Sequence, residues 1–136
     1  MGRLRRVMPQ MALAELLAEA EPDGDGYLTD AFLDLLRDQE IAFGDVPRLL
    51  VDGLPMLVSM MSCCNVEVAD GATSLGAPAK VVTFHTGGWS GAEELIGILL
   101  GKPAVQMFHS AWRRGGHFTF EIPMMRLAPT PPGEDR

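Results

Sequence analysis

Apolar residues recur at helical spacing through the first half of the chain and alternate at strand spacing through the second. Over residues 10–20, Leu13, Leu16, Leu17 and Ala20 fall on one side and Glu15 and Glu19 on the other, until Pro22 stops the run. Residues 29–39 repeat the pattern with Phe32, Leu35 and Leu36 as the inward stripe. Thr29 has the hydroxyl of an N-cap, and Asp30 the charge that a helix start favours. A third apolar segment follows Asp45, read as its cap, with Pro47 in the first turn; Gly53 and Pro55 predict that it divides into two short helical pieces.

From Asn65 the texture changes. Residues 65–70 alternate and residues 80–86 are β-branched and aromatic, while the stretch between them is glycine, serine and proline, so two strands joined by a long connection are expected. Residues 90–101 read as a helix, with Ser90 and Glu93 at capping-box spacing. AVQMFHSAW and HFTFEIP flank Arg113-Arg114-Gly115-Gly116 and predict a hairpin. The sum is an α+β fold: short N-terminal helices packed on a mostly antiparallel four-stranded sheet in the order ββαββ. A single domain over residues 9–126 follows, helical over 9–62 and ββαββ over 65–123. It is preceded by a basic segment at 1–8 that can stay disordered and followed by a disordered proline-rich tail at 127–136.

Composition adds constraints. A chain of 136 residues buries roughly two thirds of its unfolded surface, enough to fold without staples. No apolar run approaches the ~20 residues of a membrane span. The start has basic residues before apolar ones, as a secretory signal does, but Pro9, Gln10 and Glu15 interrupt the apolar part, so a cytoplasmic location is expected. Cys63 and Cys64 are adjacent, a poor spacing for a disulfide and too few ligands for zinc, and read as reduced apolar filler. No cofactor, metal or membrane partner is expected.

The net charge of −7 is unevenly spread: residues 9–60 hold eleven acids against Arg37 and Arg48, while residues 1–8 hold only Arg3, Arg5 and Arg6. An acidic half repels nucleic acid and favours a basic protein surface. The residues expected to meet such a partner are Asp23, Asp25, Asp30, Asp34, Asp38 and Glu40. Met56 and Met60 are expected as an apolar patch beside them.

Three stretches carry candidate chemistry. Gly87, Gly88, Ser90 and Gly91 lie between a strand and a helix start, where backbone N–H groups can cradle an anion; the spacing fits neither phosphate-loop pattern, and Ser90 with Glu93 would occupy the donors, so a self-capped corner is the stronger expectation. Residues 21–32 place Glu21, Asp23, Asp25, Gly26, Leu28 and Thr29 as in a calcium loop, but the twelfth position is Phe32 instead of a bidentate Glu, which favours a polar turn.

All three histidines, His85, His109 and His117, fall in the sheet region with Arg113, Arg114 and Glu121 nearby, the residue types of general acid–base chemistry on a phosphodiester. Their convergence depends on hairpin register. An even loop pairs Trp112 with His117 and His109 with Phe120, making His109 a core residue. An odd loop with a bulge pairs His109 with Glu121 and puts His109 and His117 on one polar face. The even register turns Val105, Met107 and Ala111 toward Phe118 and is the expected one.

The stretches Thr86–Leu99 (TGGWSGAEELIGIL) and Arg113–Pro123 (RRGGHFTFEIP) resemble a pattern in small uncharacterised proteins encoded by bacteriophages and prophages. The resemblance implies a setting, a mobile element in a bacterial cytoplasm, and carries no catalytic residue with it. With the acidic half, it leads to the expectation of a non-catalytic interaction module that modulates or inhibits a host protein. The alternatives are a small histidine-dependent hydrolase of phosphodiester or nucleotide substrates and a structural, homo-oligomeric phage component.

Overall fold

The computed structural model describes residues 10–62 and 64–127. The basic segment at 1–8, Cys63, and all of the proline-rich tail except Leu127 lie outside them. The chain is α+β, with helices α1 (Leu13–Ala18), α2 (Asp30–Asp38), α3 (Val46–Arg48) and α4 (Leu54–Ser59) preceding strands β1 (Asn65–Ala72) and β2 (Pro78–His85). Helices α5 (Ser90–Leu100) and α6 (Pro103–Gln106) then lead to β3 (His109–Arg113) and β4 (His117–Pro123).

Helix α2 starts as its sequence predicts: the Thr29 hydroxyl accepts the Phe32 amide at 3.3 Å. Its inward residues differ by one position from the expected stripe, since Phe32, Leu33 and Leu36 are buried while Leu35 is half-buried. The expected break at Gly53 and Pro55 does not occur. Instead α3 runs through a π-helical turn, Leu49–Gly53, directly into α4, with helical backbone at every junction. The wider turn lets the path continue although Pro55 has no amide to donate. Asp45 stands at the N-cap position of α3, as expected, with Pro47 in the first turn, but it also ends a 3₁₀ turn, Phe43–Asp45, and its side chain makes no capping bond.

The connection between β1 and β2 is shorter than expected. Both strands extend to leave a turn of residues 73–77, closed by the Thr73 amide on the Ala77 carbonyl at 2.8 Å and the Gly76 amide on the Thr73 carbonyl at 2.9 Å. The sheet order is β1-β2-β4-β3, with every neighbouring pair antiparallel. Along β2 and β4 the alternation is clean where it matters: Val82, Phe84, Phe118, Phe120 and Ile122 are buried and join Leu36, Leu49, Leu54, Leu57, Leu95 and Leu99 in one core. Each such side chain contributes roughly 1.5–3 kcal/mol by leaving water. The intervening residues Thr83, His85, His117, Thr119 and Glu121 point to the opposite face and are half-buried. Strand β1 lies at one edge, and seven of its eight residues are exposed.

Residues 104–108 also depart from the expected strand. With Pro103 at the first helical position, residues 104–106 belong to α6 and residues 107–108 form a turn rather than strand, so Val105 is buried in a helical turn and Met107 is 72% exposed. Neither faces Phe118 across a ladder.

Candidate functional site

The direct pairing of β2 with β4 sets His85 opposite His117. Residues directly opposite in antiparallel strands share a face and lie close enough for side chains to touch. These do: the two Nδ1 atoms are 2.7 Å apart, with ring planes inclined by 75°. Strand β1 adds the third member, because Glu67, opposite Thr83, lies two residues along from Asn65, the partner of His85, and so on the same face. The Glu67 Oε1 lies 3.2 Å from His85 Nε2.

The partners of the two rings fix where their hydrogens lie. Only one hydrogen can occupy the line between the two Nδ1 atoms, and Glu67 as a carboxylate can only accept. His85 therefore donates from Nε2 to Glu67, and the shared hydrogen sits between its Nδ1 and that of His117. Three of the four ring nitrogens of the pair are thereby engaged. Glu67 was absent from the candidates read from the sequence. Its signal was the alternation of β1, but using that signal requires the β1–β2 register, which depends on a turn length the sequence did not reveal.

His109 is not part of this cluster. The hairpin combines the two registers considered for it: next to the turn, Arg113 pairs with His117 and Trp112 with Phe118 across a three-residue loop, Arg114 to Gly116, which is the odd pairing. A bulge at Ser110 then restores His109 to a position opposite Phe120, the pairing of the even register. His109 accordingly packs on the core side, its ring centre 5.1 Å from that of Phe120 and 6.0 Å from that of Phe118. Its Nε2 is buried without a hydrogen-bond partner. Arg113 shares the face of His117 by register and is exposed, as is Arg114 at the turn. Glu121 lies on that same outer face opposite Val81 and also lines an edge cavity of about 480 Å³ with His109, Ser110, Phe43, Phe108 and Arg126.

The glycine corner is bound to itself. Gly87 and Gly88 have φ of 65° and 76°, left-handed backbone that suits glycine, and the turn closes with the Trp89 amide on the Thr86 carbonyl at 3.1 Å. The Gly88 amide donates to the Thr86 hydroxyl at 3.2 Å, and that hydroxyl donates in turn to the Glu93 carboxylate. Helix α5 begins one residue earlier than the capping-box reading has it: Trp89 is the N-cap, and Ser90 makes no capping bond. Glu93 is turned to Thr86 instead. Gly91 is buried beneath the Tyr27 and Trp89 rings, whose centres are 4.5 Å apart. Residues 21–28 likewise satisfy themselves, with Asp23 Oδ1 accepting the amides of Asp25 at 2.7 Å and Tyr27 at 3.2 Å.

In the helical half, Asp23, Asp25, Asp30, Asp34 and Glu40 are exposed, whereas Asp38 is half-buried. Asp34 is bound by Arg37 at 2.8 Å, which also reaches Glu94 at 3.4 Å. Met56 and Met60 are half-buried and pack against the core. At the far end of α2 the Lys102 ammonium donates to the Gln39 carbonyl at 2.6 Å. Burial pushes Lys102 below its ordinary value of 10.5; Asp38 and Glu40 oppose this and Arg37 adds to it.

Among the described residues no group of three or more His, Cys, Asp or Glu side chains is placed to hold a metal ion, and no helix is long and apolar enough to cross a membrane. No protein-family model, curated protein or solved structure matches the chain.

Proposed function

We propose that the chain is a non-catalytic protein-interaction module that engages a basic protein surface through the acidic side of its helical half, formed by Asp23, Asp25, Asp30, Asp34 and Glu40. The observation that carries this reading is the exposure of those five carboxylates in a half where eleven acids face two bases. A surface of one sign steers an oppositely charged partner and raises its association rate. The methionines do not add to it, because Met56 and Met60 pack inward.

The arrangement of the histidines supports the same reading against the hydrolase alternative. A general acid and a general base must both reach one substrate. Here His85 and His117 spend their Nδ1 atoms on each other, and His109 packs on the other side of the sheet. The likeness of Thr86–Leu99 and Arg113–Pro123 to phage and prophage proteins supports a bacterial host protein as the partner.

The test is a pull-down from a bacterial lysate at low and at moderate salt, with the exposed acids intact and with Asp30→Lys and Asp34→Lys. A stoichiometric basic partner that is lost with salt and with the charge reversals is expected. Binding that ignores both changes would remove the acidic face from the account, and capture of only a second copy of the chain would replace the host partner with a homo-oligomer.

A further inference from the structure

We infer that His85 and His117 form a two-histidine site for a borderline divalent transition-metal ion, of the copper, nickel and zinc class. This site is independent of the acidic face. Two features carry it. First, the Nδ1 atoms converge to 2.7 Å on an outward face of the sheet, from adjacent strands whose register fixes both backbones. With metal–nitrogen bonds of about 2.0–2.1 Å, two neighbouring ligands stand about 2.9–3.4 Å apart. Small rotations of two half-buried rings supply that widening, and the ion takes the place of the single hydrogen on the line.

Second, Glu67 already performs the orienting role that metal-binding histidines need. A ligating imidazole almost always donates its other ring N–H to a carboxylate or carbonyl, which fixes its tautomer and raises its basicity. The Glu67–His85 contact at 3.2 Å holds the hydrogen of His85 on Nε2, which leaves the Nδ1 lone pair for the metal. His117 becomes a ligand by carrying its hydrogen on Nε2 instead of Nδ1, so no net proton need leave the protein. The Nε2 side of His117 faces the Gly115 turn, where a Cβ on Gly115 would stand 3.4 Å away, and glycine keeps that side uncrowded. The charges nearest the pair by register are Glu67 on β1 and Arg113 opposite His117, with Glu121 on the same face four residues along β4.

Two imidazoles with further positions left to water favour copper over zinc and give magnesium nothing to prefer. The full-length chain, chelator-treated and carrying Cys63→Ser and Cys64→Ser so that thiols do not compete, is titrated with Zn²⁺ while the histidine ring nitrogens are followed by NMR. Parallel calorimetric titrations use Cu²⁺ and Mg²⁺. One ion per chain is expected, with the His85 and His117 Nδ1 resonances moving and those of His109 staying, and with Cu²⁺ tighter than Zn²⁺. Glu67→Gln should weaken binding at least tenfold, while His109→Ala leaves it unchanged. Uptake that moves other resonances, affinity that survives His117→Ala, or no uptake at millimolar Cu²⁺ would each overturn the site. The ring resonances of the unsubstituted pair give the answer even where a histidine variant does not fold.

Discussion

The Gly116 carbonyl accepts the amide of Thr86 at 2.8 Å, and its α-carbon stands where a Cβ would overlap the Thr86 hydroxyl. One residue of the β3–β4 turn is thus bolted to the fully buried start of the β2–α5 corner, through a threonine whose hydroxyl also holds Glu93. The backbone at Gly116 is left-handed, with φ of 83°. Gly116→Ala therefore adds both strain and a clash in a buried place, and should lower stability by about 2–4 kcal/mol, read as a fall in the denaturant midpoint. A loss under about 1 kcal/mol would mean that the two turns separate easily.

Gly97 is the converse case. It lies inside α5 on an exposed side, with right-handed backbone and nothing within 4 Å of an added Cβ. Gly97→Ala should raise stability by about 1 kcal/mol through helix propensity alone. A decrease would show that another element covers this side of α5.

His109 packs beside the Phe118 and Phe120 rings and carries a buried nitrogen with no hydrogen-bond partner. His109→Phe replaces a desolvated polar group by one that fits the aromatic surroundings, and should stabilise the fold by about 1 kcal/mol. Chemical unfolding at an unchanged slope would measure it, and destabilisation of the same size would reveal a hydrogen-bond partner for Nε2.

Lys102 gives a pH dependence of definite sign. Its folded value lies below 10.5, so between the folded value and 10.5 the unfolded chain holds more protons than the folded one, and stability from this group rises with pH across that window. Below the window the burial cost is present in full. The stability of the parent relative to Lys102→Met should therefore increase from neutral pH toward pH 10.5. A difference that stays flat or falls over that range contradicts the direction assigned to Lys102.

The helical stripes and the strand alternation were legible because each follows one period over many residues, as Leu13, Leu16 and Leu17 do in α1 and Phe118, Phe120 and Ile122 in β4. The misread places are those where two local preferences compete. Residues 104–107 are short and apolar enough to suit either period, and Pro103 decided for a helical turn. Ser90 and Glu93 had capping spacing, but the Thr86 hydroxyl offered Glu93 a nearer partner. The candidate site was half legible. Its histidines stood out by type, but their contact depends on two registers, and one bulge at Ser110 separates His109 from the other two.

The far side of β1 is unpaired among the described residues, and nearly all of the strand is exposed. The sheet is therefore open-ended: its growth stops at four strands although its backbone offers a further row of donors and acceptors. What guards that edge is charge, from Glu67 and Asp70, and each of those carboxylates is already turned inward to a neighbour on β2, His85 for one and Lys80 for the other. Holding the edge apart from other chains and holding the histidine pair in order are thus two duties of one side chain, Glu67. Any event that draws Glu67 away from His85 also changes what the edge presents to its surroundings.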